Sequence, residues 1–213
     1  LGYGDQRPRF LMDGATTVTA VISAANVTVE NMIFKAGHAA VVTCFDITAS
    51  GACLKKLQFL QNTTSENFLT AIKSTSTVDG TADGIRVIGC EMYHVDSGTL
   101  EMIEFNADVS NGRFFDNYHV SEGTASPLIL CATGKDLKGV WIRNNVVSNK
   151  ETAGDCFITN DTAEANNSGI MEYNFAGNAD VTGAQVFGLL GGIRQRENKA
   201  ASTDGVQGGY LPA

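Results

Sequence analysis

The side chains of this sequence that can do chemistry are few and scattered. Hydrolysis of a glycosidic bond needs two carboxylates, roughly 5–9.5 Å apart, across a sugar-sized groove. Abstraction of a proton next to a carboxylate needs a base, with a cation to hold the anion. Asp116, Arg143 and Glu172 are the candidates for such work, because comparing the chain with itself puts them at equivalent places in successive segments. The plainer role for charges so placed is an exposed mixed-charge ladder, each pair contributing about 0–1 kcal/mol. Tyr-His occurs twice, at Tyr93-His94 and Tyr118-His119, in a chain with three histidines. No third ligand keeps step with them, so they read as loop aromatics beside surface imidazoles, not as a metal centre. Asp79 and Asp83 enclose Gly80-Thr81-Ala82, without the Asp-Gly spacing of a calcium loop. The five cysteines (Cys44, Cys53, Cys90, Cys131, Cys156) show no CxxC or Cys/His spacing. Lying in or beside apolar runs, they read as small buried hydrophobes. The sequence names no metal and no cofactor.

What positions these residues follows from composition and self-similarity. The chain has 213 residues, net charge −8, 43% apolar and 18% charged residues. That is a folding composition, long enough for one domain or one elongated repeat array. Proline is scarce (3) and glycine plentiful (23), among abundant Thr, Asn, Ser and Val, a balance that favours strands and turns over helices. The acidic balance and the lack of a Lys/Arg stripe argue against a nucleic-acid binder. No apolar run reaches the roughly 18–20 residues of a membrane span. The chain opens at Leu1 without a basic-then-apolar leader, which reads as a mature fragment or part of a longer polypeptide.

Residues 143–149 lie over 172–178 without a gap, and 115–121 lie over 142–148. Residues 91–95 lie over 116–120, with weaker copies beginning at Asn26 and Cys53. The recurrence is about 25–33 residues, drifting as loop insertions would make it drift. Each repeat holds short runs such as Leu100–Phe105 and Val140–Ile142, which read as strands. Two such strands cannot bury their inner faces alone, so the repeats must stack. Propellers, helical repeats and leucine-rich repeats do not fit this length and pattern. The fold class is therefore all-β: a single-stranded parallel β-helix, or solenoid, of about seven coils, a rod roughly 30–35 Å long. The solenoid spans residues 1–190. Residues 191–213 lose the period and read as a C-terminal arm that caps the last coil or contacts another subunit.

This alignment sets out three columns. Cys90, Phe115, Ile142 and Met171 fall inside the coil. Asn117 and Asn144, flanked by Met92 and Tyr173, form an amide ladder at a bend. Glu91, Asp116, Arg143 and Glu172 face water.

With Gly2-Tyr3-Gly4-Asp5, Ala25–Phe34, Gly84-Ile-Arg-Val-Ile-Gly-Cys90 and Gly139-Val-Trp-Ile-Arg-Asn-Asn145, the chain resembles the right-handed parallel β-helix proteins of the pectate-lyase-like superfamily. The resemblance covers roughly residues 15–190 and bears on fold more than on activity. The hydrolase branch carries an Asn-Thr-Asp signature, an Asp pair, Gly-His-Gly and Arg-x-Lys. Here only Thr159-Asn160-Asp161, Ser202-Thr203-Asp204-Gly205 and Gly37-His38-Ala39 echo parts of it. The Asp-x-Ile-Phe-Gly motif of the esterase branch does not occur. Ser/Thr/Ala-rich loops, low charge and a Gly-rich end make the chain most similar to structural β-helix proteins of tailed-phage virions. That resemblance implies a homo-oligomer, as a trimer, on the particle exterior, contacting other virion proteins and host-surface glycan. No catalytic residue is then expected. The alternative is a polysaccharide-degrading β-helix, a tailspike lyase or hydrolase whose groove lies between subunits.

Overall fold

The computed structural model describes residues 7–94, 101–121, 126–149, 157–160, 166–178, 187 and 191–202. Among them are 23 short strands and no helix. The chain visits three sheets in rotation. A six-stranded sheet takes Ala20–Ile22, Val41–Ile47, Phe68–Ser74, Glu101–Phe105, Ile129–Cys131 and Ile158–Asn160. A seven-stranded sheet takes Thr28–Glu30, Cys53–Lys55, Arg86–Ile88, Arg113–Phe115, Val140–Arg143, Ser168–Glu172 and Gly192–Arg196. An eight-stranded sheet takes Arg9–Met12, Ile33–Ala36, Gln58–Gln61, Glu91–His94, Tyr118–Ser121, Val146–Asn149, Phe175–Asn178 and Lys199–Ser202. Val109–Ser110 and Leu137–Lys138 form a short fourth ribbon at one corner. Every pairing in the three sheets is parallel and joins a strand to its counterpart one turn on. This is a parallel β-solenoid of six complete turns with a partial turn at each end, close to the seven coils expected. Within the stretch assigned to a C-terminal arm, Gly192–Arg196 and Lys199–Ser202 add a further rung to two sheets. Residues 203–213 lie outside the described residues.

The interior is filled by apolar columns, one side chain per turn. On the six-stranded sheet Phe45, Ile72, Ile103, Ile129 and Ile158 stack in register. On the seven-stranded sheet the column is Val29, Leu54, Val87, Phe114, Ile142 and Met171. On the eight-stranded sheet Phe34, Phe59, Met92, His119, Val147 and Ala176 follow one another. The short, β-branched and aromatic-rich runs form strands because only stacking hides their inward faces from water.

Ile142 and Met171 share the dry interior as expected, but Phe115 does not. Phe114 occupies that place, fully buried, while Phe115 packs from outside edge-on to Trp141 at 5.3 Å. The register between these two turns is thus shifted by one from the sequence alignment, so that Asn117 meets Asn145. Between the turns at 91 and 118 the shift is two, Glu91 pairing with Tyr118.

The corner between the seven- and eight-stranded sheets shows why. Each turn places there one left-handed residue: Asn31, Lys56, Gly89, Asp116, Asn144, Tyr173 and Glu197, with φ between 51° and 62°. The residue after it points inward. In four consecutive turns that residue is Asn117, Asn145, Asn174 and Asn198, all at most 1% exposed. Asn145 Oδ1 accepts from the backbone N–H and the Nδ2 of Asn117, both at 2.9 Å. Asn174 does the same for Asn145, and Asn198 for Asn174. Each Nδ2 also donates to a carbonyl of the turn before: Val87, Phe114, Ile142 and Met171. Cys90 ends the ladder: its backbone N–H donates to Asn117 Oδ1, and its thiol donates to Leu54 O. Burial pushes the Cys90 thiol up to about 12. The expected amide ladder exists, but Asn144 is its left-handed neighbour and not a member.

Candidate functional site

The structure does not gather Asp116, Arg143 and Glu172 into one column. Asp116 sits at the corner, with Oδ1 accepting from Asn144 Nδ2 at 3.2 Å. The residue beneath Arg143 is Phe115. Arg143 does pair with Glu172 in the next turn, Nε to Oε1 3.7 Å, and its guanidinium lies over the Tyr173 ring at 5.5 Å. Glu172, nearly covered, also accepts from Trp141 Nε1 at 3.1 Å. Its carboxylate is therefore committed to holding the Trp141 and Arg143 side chains in place. Glu91, the remaining residue of the expected column, accepts from Gln58 Nε2 on the eight-stranded sheet.

His94 and His119 are not surface groups. Both are fully buried on the inner face of the eight-stranded sheet, while Tyr93 and Tyr118 project outward. The Tyr-His repeat is the alternation of a half-buried strand. Among the described residues no cluster of His, Cys, Asp and Glu has metal-ligand geometry.

The closest approach to a catalytic constellation lies on the six-stranded sheet, where no sequence motif drew notice. Three successive strands carry the same pattern, a polar residue on either side of two buried apolar ones. They are Thr43-Cys-Phe-Asp46, Thr70-Ala-Ile-Lys73 and Glu101-Met-Ile-Glu104. Glu101 and Glu104, on either side of the two apolar residues, both reach Thr70 on the neighbouring strand. Thr70 Oγ1 donates to Glu101 Oε2 or to Glu104 Oε2, each at 3.2 Å, so these two oxygens are at most 6.4 Å apart. Lys73 Nζ lies 2.6 Å from Glu104 Oε1. Burial holds the Glu101 carboxyl above its ordinary value, and the Glu104 charge adds to that. Two carboxyl groups in unlike environments, one buried and one paired with a lysine, are the raw material of an acid–base pair.

Parts of the outer faces carry apolar side chains in register. On the eight-stranded sheet Tyr118, Val146 and Phe175 form one column, and Leu60, Tyr93 and Val120 the next. Tyr93, Tyr118 and Phe175 are 40–49% exposed. On the seven-stranded sheet Trp141 and Ile170 are neighbours in the same way. A shallow groove of about 500 Å³ lies at the corner leading into the seven-stranded sheet. Its lining includes Asn26, Asp83, Arg86, Asn111 and Arg113, with Gly51 and Gly84 among them. No protein-family model, curated protein or solved structure matches this chain.

Proposed function

We propose that this chain is a non-enzymatic structural β-solenoid of a bacteriophage particle, a capsid decoration or tail-associated rod on the particle exterior. It packs against copies of itself as a trimer and against other virion proteins, with host-surface glycan as a further contact. The three-sheet cross-section of short parallel strands supports kinship with the pectate-lyase-like β-helices.

The observation that carries this reading is a staggered apolar strip on the eight-stranded sheet, Leu60–Tyr93–Val120 followed one column over by Tyr118–Val146–Phe175. A contiguous apolar patch left in water marks an interaction site. Apolar side chains, aromatic and aliphatic, in a row at strand spacing of about 4.8 Å suit a long, flat contact with another protein rather than a small ligand. Purified protein should sediment as an oligomer, bind the capsids or tails of its phage, and release no reducing ends or unsaturated uronates from polysaccharides. Substituting Tyr118→Asp and Phe175→Asp together should return it to monomers. Polysaccharide turnover, or an oligomer indifferent to both substitutions, defeats the proposal.

A second reading, a polysaccharide-degrading β-helix, is favoured by Glu101 and Glu104 alone. A separation of at most 6.4 Å admits the roughly 5–5.5 Å of a retaining glycosidase. In that case Glu101, whose carboxyl burial shifts upward, is the acid, and Glu104 beside Lys73 the nucleophile. Turnover abolished by Glu101→Gln would establish it in place of the first.

A further inference from the structure

Five of the chain's seven arginines lie on the outer face of the seven-stranded sheet: Arg86, Arg113, Arg143, Arg194 and Arg196. No run of basic residues announces them, because no turn contributes more than two and the rung Ser168–Glu172 contributes none. Arg86 pairs with Arg113 on the next rung, followed in the same column by Trp141, Ile170 and Arg194. The adjacent column runs Ile88, Phe115, Arg143, Glu172 and Arg196. At about 4.8 Å per rung, Arg86 and Arg194 stand roughly 19 Å apart along the rod. A small anion could meet two of these groups; only an extended anionic surface meets them all. All five are exposed, and Arg86, Arg113 and Arg194 make no side-chain hydrogen bond or ion pair with any described residue.

Arginines concentrated on one face of a molecule with net charge −8 are a directed feature, since self-repulsion elsewhere leaves this the side an anion can approach. Between them lie Ile88, Phe115, Trp141 and Ile170, which offer no hydrogen-bonding group to a sugar hydroxyl. The Trp141 N–H is already given to Glu172. An apolar centre of aromatic and branched side chains, bordered by arginines, is the composition of a protein–protein contact.

We propose that the outer face of the seven-stranded sheet is a docking surface for an acidic protein partner, whose carboxylates meet Arg86, Arg113 and Arg194 while its apolar side chains cover Trp141 and Ile170. This rests on the reading of the rod as a protein-binding scaffold, and the two fail separately. Polysaccharide turnover defeats the scaffold reading, whereas the following test addresses this face alone.

Trp141 is the chain's single tryptophan and sits in the proposed contact, so its emission reports occupancy of this face directly. Poly-L-glutamate is titrated into the whole chain at low salt, with polygalacturonate and a single-stranded oligothymidine as matched polyanions. The expected result is a saturable change in Trp141 emission with poly-L-glutamate, stronger than with either other polymer and weakening steeply with salt. Arg86→Glu with Arg113→Glu should weaken it at least about ten-fold, a rim-and-core charge reversal. Arg9→Glu, on a different sheet, should leave it unchanged and controls for net charge. Silence of Trp141, an unchanged response in the double variant, or tighter binding of either other polymer overturns the proposal. Salt-sensitive self-association abolished by Arg113→Glu would make the occupant a second copy and overturn it too.

Discussion

Truncating Asn145 to alanine tests the asparagine ladder at its most connected point. The substitution deletes four hydrogen bonds: two accepted from Asn117, and two donated, to Phe114 O and to Asn174 Oδ1, at 2.8–2.9 Å. Their loss is not uniform. Asn117 Nδ2 keeps Val87 O, and Asn174 Oδ1 keeps the backbone N–H of residue 145. The Asn117 N–H, by contrast, loses its acceptor inside the solenoid, and Phe114 O loses a donor. A buried polar group left without its partner costs about 1–3 kcal/mol, so the two together cost roughly 2–6 kcal/mol. Against a domain stability of about 5–15 kcal/mol that is a large fraction. With an m-value of roughly 2–3 kcal/mol per molar urea, the midpoint should fall by about 1–3 M. Trp141, on the strand just before the corner, reports the transition by fluorescence. The control is the neighbouring residue. Asn144 is exposed, has φ 53°, and its amide reaches only Asp116 Oδ1. Asn144→Gly therefore keeps the left-handed turn and should cost under about 1 kcal/mol. An Asn145→Ala protein as stable as the parent, or an Asn144→Gly protein as damaged as Asn145→Ala, would show that the amides do not hold the turns together.

Two further outcomes follow from the same geometry. Phe114→Ala should lower stability by about 3–5 kcal/mol while Phe115→Ala, outside the coil, costs about 1 kcal/mol or less, measured by urea unfolding; the reverse order would restore the register first read from the sequence. Glu101 has a folded value raised above its ordinary 4.5, so the unfolded chain loses this proton first and folding is penalised as pH rises from there through the folded value. Glu101→Gln, which keeps an acceptor for Thr70, should stabilise the protein at pH 7 and confer no advantage below about pH 4, where both states carry the proton; equal stabilisation at both pH values would remove burial of the carboxyl as the cause.

What could be read from the sequence is what every turn repeats. Each turn needs strands that bury one face, a tight corner and a stackable residue inside it, and those recur often enough to fix a parallel solenoid and an amide ladder. The one-residue register error has a specific origin. Asp116-Asn117 and Asn144-Asn145 both offer Asn at the corner, but for different reasons: the first position of each pair tolerates the left-handed conformation, and the second supplies hydrogen bonds. Chemistry alone does not separate those roles in a pair of asparagines. The same slip placed Phe115 inside in place of Phe114, since two adjacent phenylalanines satisfy an alternating pattern in either phase.

What could not be read is what a turn does once. Arg86 and Arg113 are 27 residues apart in the chain and one rung apart in space, so their face exists only after the turns are counted correctly. Glu101 and Glu104 had a visible signal of another kind. The polar–apolar–apolar–polar pattern appears at Thr43, Thr70 and Glu101 in strands that pair in register, and it breaks the strict alternation a strand should show. A break repeated in three turns is not noise, because each buries a polar side chain, Thr43, Thr70 or Glu101, at the same place in the stack. It marks a feature shared by the stack, and there two side chains of one strand converge on a single atom of the next, Thr70 Oγ1. In a solenoid the place to look for a site is therefore not a motif along the chain but a departure from the period that successive turns hold in common.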